Sequence, residues 1–560
     1  VSTQSTGNNQ MSILKDRILN KDTAFTNEER KANHMVARLP YKVETLDQQV
    51  ARCRDQFNLL NTPMEKWMYL TRTQESNETL FNAFAMKYIK EMLPFIYTPT
   101  VGTACQTYSQ VWQGVPRGLY LNRSHAGHVA EILNDWPYEP QIIVATDGTR
   151  ILGLGDLGTG GHHICVGKLS LYTLGSGFNP KHTLPISFDF GCNTEAVREN
   201  QHYLGLKEQR NKDEVYWGMV KETVDAVHKK WPRCVFQFED FSNDTAFKLL
   251  ELHRNSYAVF NDDIQGTGCI AAACMASAVR AVGVRMNKPV SVKDQRYLLF
   301  GAGAGGIGVA ENIAMLSVAE GSTIEEARKQ FYVVDSKGLI TSDRSDVVDG
   351  TVQEHKVNFI RTDVSNKGNE TLMDVIKNFK PTCLLGLSTI HKAFTKEIVQ
   401  TVCAQIEQPP VIFALSNPLT KCEITNQECY DWSEGKAFFA SGSPFPALNT
   451  PQGPVDTAQC NNFYCFPGIG LGTYLCNATK ITDMMIVAVS KALADMTGVE
   501  ELKKGTLLPP IAQIREISVE VARGIMRQAE KEGLAQIKLP KSDEELKQLI
   551  RAAQWIPKYE

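Results

Sequence analysis

Two apolar runs of this sequence end in acids. The segment CVFQFEDF (234–241) delivers Glu239 and Asp240, and YAVFNDD (257–263) delivers Asp262 and Asp263. Carboxylates at strand ends can gather as hard oxygen ligands around a divalent cation. One isolated pair would more simply be solvated or cap a helix; two such clusters in one chain weaken that simpler reading. Two glycine stretches stand beside them. ILGLGDLG (151–158) and GAGAGG (301–306) both fit G-x-G-x-x-G, the spacing that lets a backbone wrap a dinucleotide pyrophosphate.

That spacing means little without a strand before it, a helix after it and an acid closing the next strand. The second stretch meets all three conditions. Residues 297–300 form an apolar strand, and Ile307, Ala310, Ile313 and Ala314 recur as the inward face of a helix. The next strand, FYVVD, ends in Asp335, placed to bond a ribose hydroxyl. Asp335 lies farther along than usual, so the connection must carry an insertion. Gly301, Gly303 and Gly306 are therefore the expected dinucleotide contacts, with the pyrophosphate at the helix N-terminus.

The first stretch fails the same test. Asp156 sits inside the loop, where it would repel a phosphate, and TGGHHICVGK continues the loop to Lys168. Residues 153–158 read instead as backbone that approaches a small substrate closely. His162 and His163 are adjacent, so their side chains point different ways, and no partner has ligand spacing; they read as structural.

Positioning these groups takes several domains, because 560 residues exceed one hydrophobic core. The expected class is a multidomain α/β protein with a helical N-terminal region, a central α/β domain and a Rossmann-like doubly wound dinucleotide domain. The first thirty residues are polar and read as loosely held. Residues 45–93 read as helices, with Leu80, Phe81, Phe84, Ala85, Tyr88 and Ile89 on one face, closed by Pro94 and Pro99. RYLLF, FYVVD, TCLLGLS and VIFALSN are buried-type strands alternating with helices, a pattern that implies a parallel sheet. The boundaries read as 1–115 helical, 116–261 central and continued by 462–525, 262–461 dinucleotide-binding, and 526–560 a helical tail. In that tail SDEE (542–545) has capping-box spacing.

A net charge of −3 without a dominant charge block leaves no footprint for nucleic acid or a membrane surface. The most apolar stretch, CIAAACMASAVRAVGV (269–284), is Ala-rich and interrupted by Arg280, as suits a buried helix. Fourteen cysteines occur without one C-x-x-C, which argues for reduced thiols rather than zinc or a disulfide framework. The chain starts at Val1, which fits a mature form whose targeting peptide has been removed.

Six motifs together resemble malic enzyme over nearly the whole chain: YTPTVG (97–102), RILGLGDLG with Lys168, FEDF, FNDDIQGT, ALSNP and NNFYCFPG. The resemblance implies oxidative decarboxylation of L-malate to pyruvate and CO2, with NAD or NADP and Mg2+ or Mn2+. It implies a homotetramer built as a dimer of dimers, and a mitochondrial matrix location with the cytoplasm as alternative. It assigns Glu239, Asp240 and Asp263 to the metal and leaves Asp262 to orient the lysine. Arg150 matches the substrate-carboxylate clamp, Asn417 and Asn462 the amide contacts to malate, and Asn417 also lies on the cofactor side. Lys168 is the expected general base and Tyr97 the acid that protonates C3.

Asp335 and the lysine-free SDVVDGTVQE favour NAD, while Ser336, Lys337 and Arg344 could accommodate the 2′-phosphate of NADP. Arg52 matches one arginine of a fumarate activator site, but Ser76 stands where a second would be. Two competing readings are another metal-dependent 2-hydroxy-acid oxidative decarboxylase and a non-catalytic nucleotide sensor. The sensor has no use for Lys168, Tyr97 and three carboxylates together.

Overall fold

Threonines and an asparagine punctuate the first helices. Thr45 and Thr62 form reciprocal capping boxes with Gln48 and Glu65, and Asn77 caps through Leu80 N–H. They open the helices Leu46–Asn58, Pro63–Ser76 and Glu78–Lys87. The computed structural model describes residues 13–113, 117–451 and 453–560. The chain divides into two compact units, residues 1–241 with 551–560, and residues 242–550.

In the first unit the helical region forms as the periodicity predicts, with two differences. The apolar face 80–89 belongs to two helices, because Tyr88 leaves helical geometry at φ −122°, ψ 34° before the helix Ile89–Ile96. Pro94 lies inside that second helix rather than closing it. The expectation of a loosely held N-terminus partly falls on residues 1–12, outside the described residues. For the rest of that stretch it is corrected: the buried Arg30 guanidinium donates to the carbonyls of Phe25, Pro40, Thr23 and Lys42. Those bonds fasten the segment.

Strands β1 (Leu119–Asn122), β2 (Ile142–Thr146), β3 (Thr183–Asp189) and β4 (Val235–Phe238) follow, paired in parallel in the order β1–β3–β2–β4. The helix His162–Ser176 packs on β2 and β3 and is buried along nearly its whole length. Gly177, in the left-handed region at φ 74°, ends it.

The second unit begins with the helix Asn243–His253, followed by the short strand β5 (Val259–Asn261) and the helix Thr267–Met286. By length and composition the stretch Asp262–Met286, which includes this helix, could cross a membrane, but 72% of its apolar window is buried inside the fold. It packs against the helices Ala304–Ala319 and Asp483–Asp495. Arg280, which interrupts the run, donates to the carbonyls of Ala494 and Thr497, just where the second of those helices ends.

The dinucleotide-type sheet contains β6 (Tyr297–Phe300), β7 (Phe331–Asp335), β8 (Gly338–Leu339), β9 (Cys383–Gly386), β10 (Val411–Ala414), β11 (Phe438–Ser441) and the strand Ala458–Gln459. Its seven strands run in the order Ala458–Gln459, β11, β10, β9, β6, β7, β8, parallel except for β8. Strand order reverses between β6 and β9, the crevice where open α/β sheets bind ligands. The expected insertion before Asp335 is the capped helix Ile324–Lys329.

The two compact units divide the chain differently from the four segments read from sequence. The N-terminal helical and central α/β regions share one unit. The helices Phe466–Leu475, Asp483–Asp495 and Ile514–Lys531, within the segment assigned to the central domain or just beyond it, lie in the second unit. There the first two pack on Ile514–Lys531, and Asp483–Asp495 also packs on Thr267–Met286. Apolar complementarity between helices decides this, and strand pattern carries no information about it.

Candidate active site

Two periodicities meet at Lys168. On the helix His162–Ser176, Lys168 and Tyr172 are four residues apart and share a face. Along β4 and its end, Gln237 and Glu239 are two residues apart and share a side. Lys168 Nζ lies 3.1 Å from Glu239 Oε1. The Gln237 amide donates to Glu239 Oε2 at 2.6 Å, and Tyr172 OH donates to Gln237 Oε1. All four side chains are buried, Lys168 at 1% and Glu239 at 2% exposure. The tyrosine hydroxyl thus sets which end of the amide faces Glu239, and the amide sets how the carboxylate is turned. Tyr97 ends the helix Ile89–Ile96, and Lys168 Nζ stands 5.0 Å from its ring centroid.

Asp240 follows with φ 55°, a costly conformation for a residue with a side chain. Its carbonyl accepts from Arg150 N–H at 3.1 Å and its Oδ2 from Leu152 N–H at 3.0 Å, so β4's end is laced to the Arg150 loop. The Arg150 side chain itself is exposed. Buried, adjacent carboxylates at Glu239 and Asp240 are the hard oxygen donors that a magnesium- or manganese-type cation takes.

The first glycine stretch is committed elsewhere. Asp156 takes both Arg210 guanidinium nitrogens, at 2.6 and 3.1 Å, and also accepts from the N–H groups of Gly158 and Asn193. A side chain on Gly158, at φ 55°, would meet Tyr203 OH at 2.0 Å. The loop is folded onto the protein, not opened to a phosphate. His162 stacks on Tyr120 at 4.2 Å, and His163 packs between Trp67 and Tyr108. Burial lowers their pKa values to about 4 and about 3, as suits neutral packing groups.

In the second unit the three glycines divide their work. A side chain on Gly301 (φ 111°) would strike the Leu387 carbonyl at 2.3 Å, and one on Gly306 the Gly301 carbonyl at 2.1 Å. Gly303 begins the helix Ala304–Ala319 and meets nothing closer than Asn243 at 3.8 Å, leaving its approach open. Gly301→Ala should lower stability by about 1–3 kcal/mol through backbone strain alone. Urea unfolding measures it, and an unchanged midpoint would remove the claim that this turn demands glycine.

Asp335 closes β7, yet its carboxylate is already held by Arg344 at 2.8 and 3.1 Å and by Lys356 at 3.0 Å. Burial pushes the Asp335 pKa up, but the Lys337 N–H together with those two cations holds it below its usual value. His355, next to Lys356, bonds the Ala302 carbonyl inside the glycine loop. Asn417 is exposed beyond β10 and accepts from Ser443 Oγ at 2.6 Å. Asn462 donates to Asp262 Oδ2 at 2.9 Å and to Thr267 Oγ1 at 3.1 Å. Asp263 lies beside Asp262 in the turn Asp262–Gly266, which Asn261 caps. Within this unit, therefore, the amide assigned to malate is bonded to the acid assigned to the lysine.

Gln237, Tyr172, Lys356 and the buried Glu423 were not legible as site residues. Glu423 accepts from Ser388 N–H, Ser388 Oγ and Ser416 Oγ, fixing the strand ends that precede Asn417. The i,i+4 and i,i+2 spacings were the available signal for Tyr172 and Gln237. Arg52 is engaged by Glu44 at 2.8 Å, and Ser76 Oγ donates to the Thr73 carbonyl.

Comparison with known proteins identifies the family. Residues 74–254 match the malic enzyme N-terminal domain and residues 264–530 the malic enzyme NAD-binding domain. An NADP-dependent malic enzyme of Dictyostelium discoideum is 41% identical over 98% of both chains. An NAD-dependent malic enzyme of Acinetobacter baylyi is 38% identical over 98% of this chain and 95% of its own. The fold is similar to the crystal structure of Entamoeba histolytica malic enzyme, with TM-score 0.56, 20% identity, and 93% and 90% of the two chains covered. A chain matched by both family domains and by relatives this similar along their whole length belongs to the malic enzyme family, the oxidoreductases that oxidatively decarboxylate malate.

Proposed function

We propose that this chain converts L-malate to pyruvate and CO2 with NAD as its preferred acceptor, dependent on a divalent cation held by Glu239, Asp240 and Asp263. The observation that carries the chemical reading is the buried Lys168–Glu239 pair with Tyr97 beside it. Lys168 removes the proton of the C2 hydroxyl as hydride departs from C2. Arg150, Asn417 and Asn462 orient the substrate carboxylates; a guanidinium suits that task because it can bind both oxygens at once. Tyr97 delivers a proton to C3 once CO2 has left. When bound, the cation supplies Lewis-acid polarisation of the C2 oxygen, and the nicotinamide supplies the hydride acceptor.

The NAD preference rests on Arg344. Its five N–H donors are spent on Asp335, Asp346 and the Gly338 carbonyl, so none is left for a 2′-phosphate. Relatives named for NAD and for NADP are similarly close, so likeness alone does not choose. Malate-dependent absorbance of the reduced nicotinamide, with either cofactor and with or without a metal chelator, tests the reading. Higher kcat/KM with NAD, abolished by chelation, is expected. Higher kcat/KM with NADP would reverse the cofactor assignment, and turnover insensitive to chelation would remove the metal.

A further inference from the structure

Cys460 and Cys274 are 186 residues apart in sequence, yet their sulfurs lie 3.4 Å from each other. Cys274 is fully buried in the helix Thr267–Met286, and burial pushes its thiol pKa up. Cys460 is partly exposed; among the described residues, Cys403 is the one other cysteine that is not buried. An accessible thiol touching a buried one is the arrangement in which the first is oxidised and the second resolves it.

The pair also sits at a mechanically sensitive place. Cys460 N–H is anchored to the Ser441 carbonyl at 2.7 Å, and two residues later Asn462 bonds Asp262 and Thr267. Thr267 begins the helix that carries Cys274, seven residues and about 10 Å farther along. The segment 460–462 is therefore tied to one helix at two points. A disulfide requires the sulfurs to close to about 2.05 Å, which pulls one tie inward by roughly 1.3 Å.

We propose that Cys460 and Cys274 form a hydroperoxide-sensitive dithiol whose disulfide displaces Asn462 and lowers turnover of malate. The consequence for turnover, though not the disulfide itself, rests on the role given to Asn462 above. In the first step the Cys460 thiol and a hydroperoxide, ROOH, give the sulfenic acid, Cys460–SOH, and ROH. Cys274 sulfur then attacks the Cys460 sulfur, the S–O bond breaks, and water leaves with the disulfide. The two sulfurs lose two electrons in all, and the hydroperoxide gains them.

The test uses the full-length, fully reduced protein treated with hydrogen peroxide. Peptide mass mapping is expected to show a Cys274–Cys460 cross-link, with kcat/KM for malate down roughly 10–100-fold, since displacements near 1 Å can cost about 10²-fold. Dithiothreitol should restore both. Cys460→Ser should keep basal turnover and resist peroxide. Cys274→Ala should instead accumulate a dimedone-reactive sulfenic acid at Cys460. Absence of that cross-link in the wild-type protein while peroxide is consumed at other cysteines overturns the dithiol, whatever the variants do. A cross-link that leaves malate kinetics unchanged overturns the coupling, provided Asn462→Ala impairs malate binding. If Asn462→Ala binds malate normally, the cross-link stands and the role given to Asn462 fails.

Discussion

Lys168→Ala should lose malate oxidation by roughly 10²–10⁴-fold, the usual cost of removing one placed acid or base, and a small added amine should restore part of it. Tyr97→Phe should slow pyruvate formation by a similar factor while sparing the hydride step. Reduction of a 2-keto dicarboxylate that does not decarboxylate separates the two, because its product needs no proton at C3. In that assay Lys168→Ala should fail and Tyr97→Phe should survive, with cofactor and metal binding verified for both. Their closeness makes the separation a real test: Nζ stands 5.0 Å from the ring centroid, so either substitution could disturb the other group. Equal losses in the reduction assay would mean that the two residues do not divide the proton transfers.

Glu239→Gln is expected to have two large effects that report on different roles. The substitution keeps the side chain's shape but replaces the carboxylate at the 3.1 Å contact with buried Lys168 by a neutral amide. Breaking a buried pair by neutralising one member costs about 3–5 kcal/mol. Denaturant unfolding of the metal-free protein reads that term. Manganese titration of the folded variant reads the other, and at least a tenfold weaker affinity is expected, because one charged oxygen donor is gone. A variant that unfolds at the wild-type midpoint would deny the pair its stabilising role. A variant that binds manganese as well as wild type would remove Glu239 from the ligand set, even if turnover were lost.

On the proposed reading the same carboxylate satisfies both a lysine and a cation. The buried Gln237 amide, bonded to the other oxygen at 2.6 Å, leaves little freedom for the group to turn between them. Such constraint is what holding a reacting atom in place requires.

Local chemistry made much of this protein legible in the sequence. Phe-Tyr-Val-Val-Asp and Tyr-Leu-Leu-Phe had to be strands, since β-branched and aromatic runs bounded by turn residues have few other uses. The second glycine stretch was identifiable because strand, turn and helix lie within one continuous segment. Asp156 marked the first stretch as different, and its pairing with Arg210 supplies the reason. The apolar run broken by Arg280 was readable as a buried helix, although the carbonyls that receive that arginine were not.

Tertiary structure alone decided which polar side chains meet and how their donors are spent. Asp335 looked in sequence like a bare acid ready to repel phosphate, but folding brings Arg344 and Lys356 onto it and spends the arginine's donors. Tyr172 reaches Gln237 only because a helix packs on the sheet in one register. Cys274 and Cys460 show no spacing signal because 186 residues separate them, and the seating of one strand end on one helix brings their sulfurs to 3.4 Å. Periodicity reports which face of an element is apolar. It carries no record of which other element that face will meet, because that choice is made by shape and burial across the whole core.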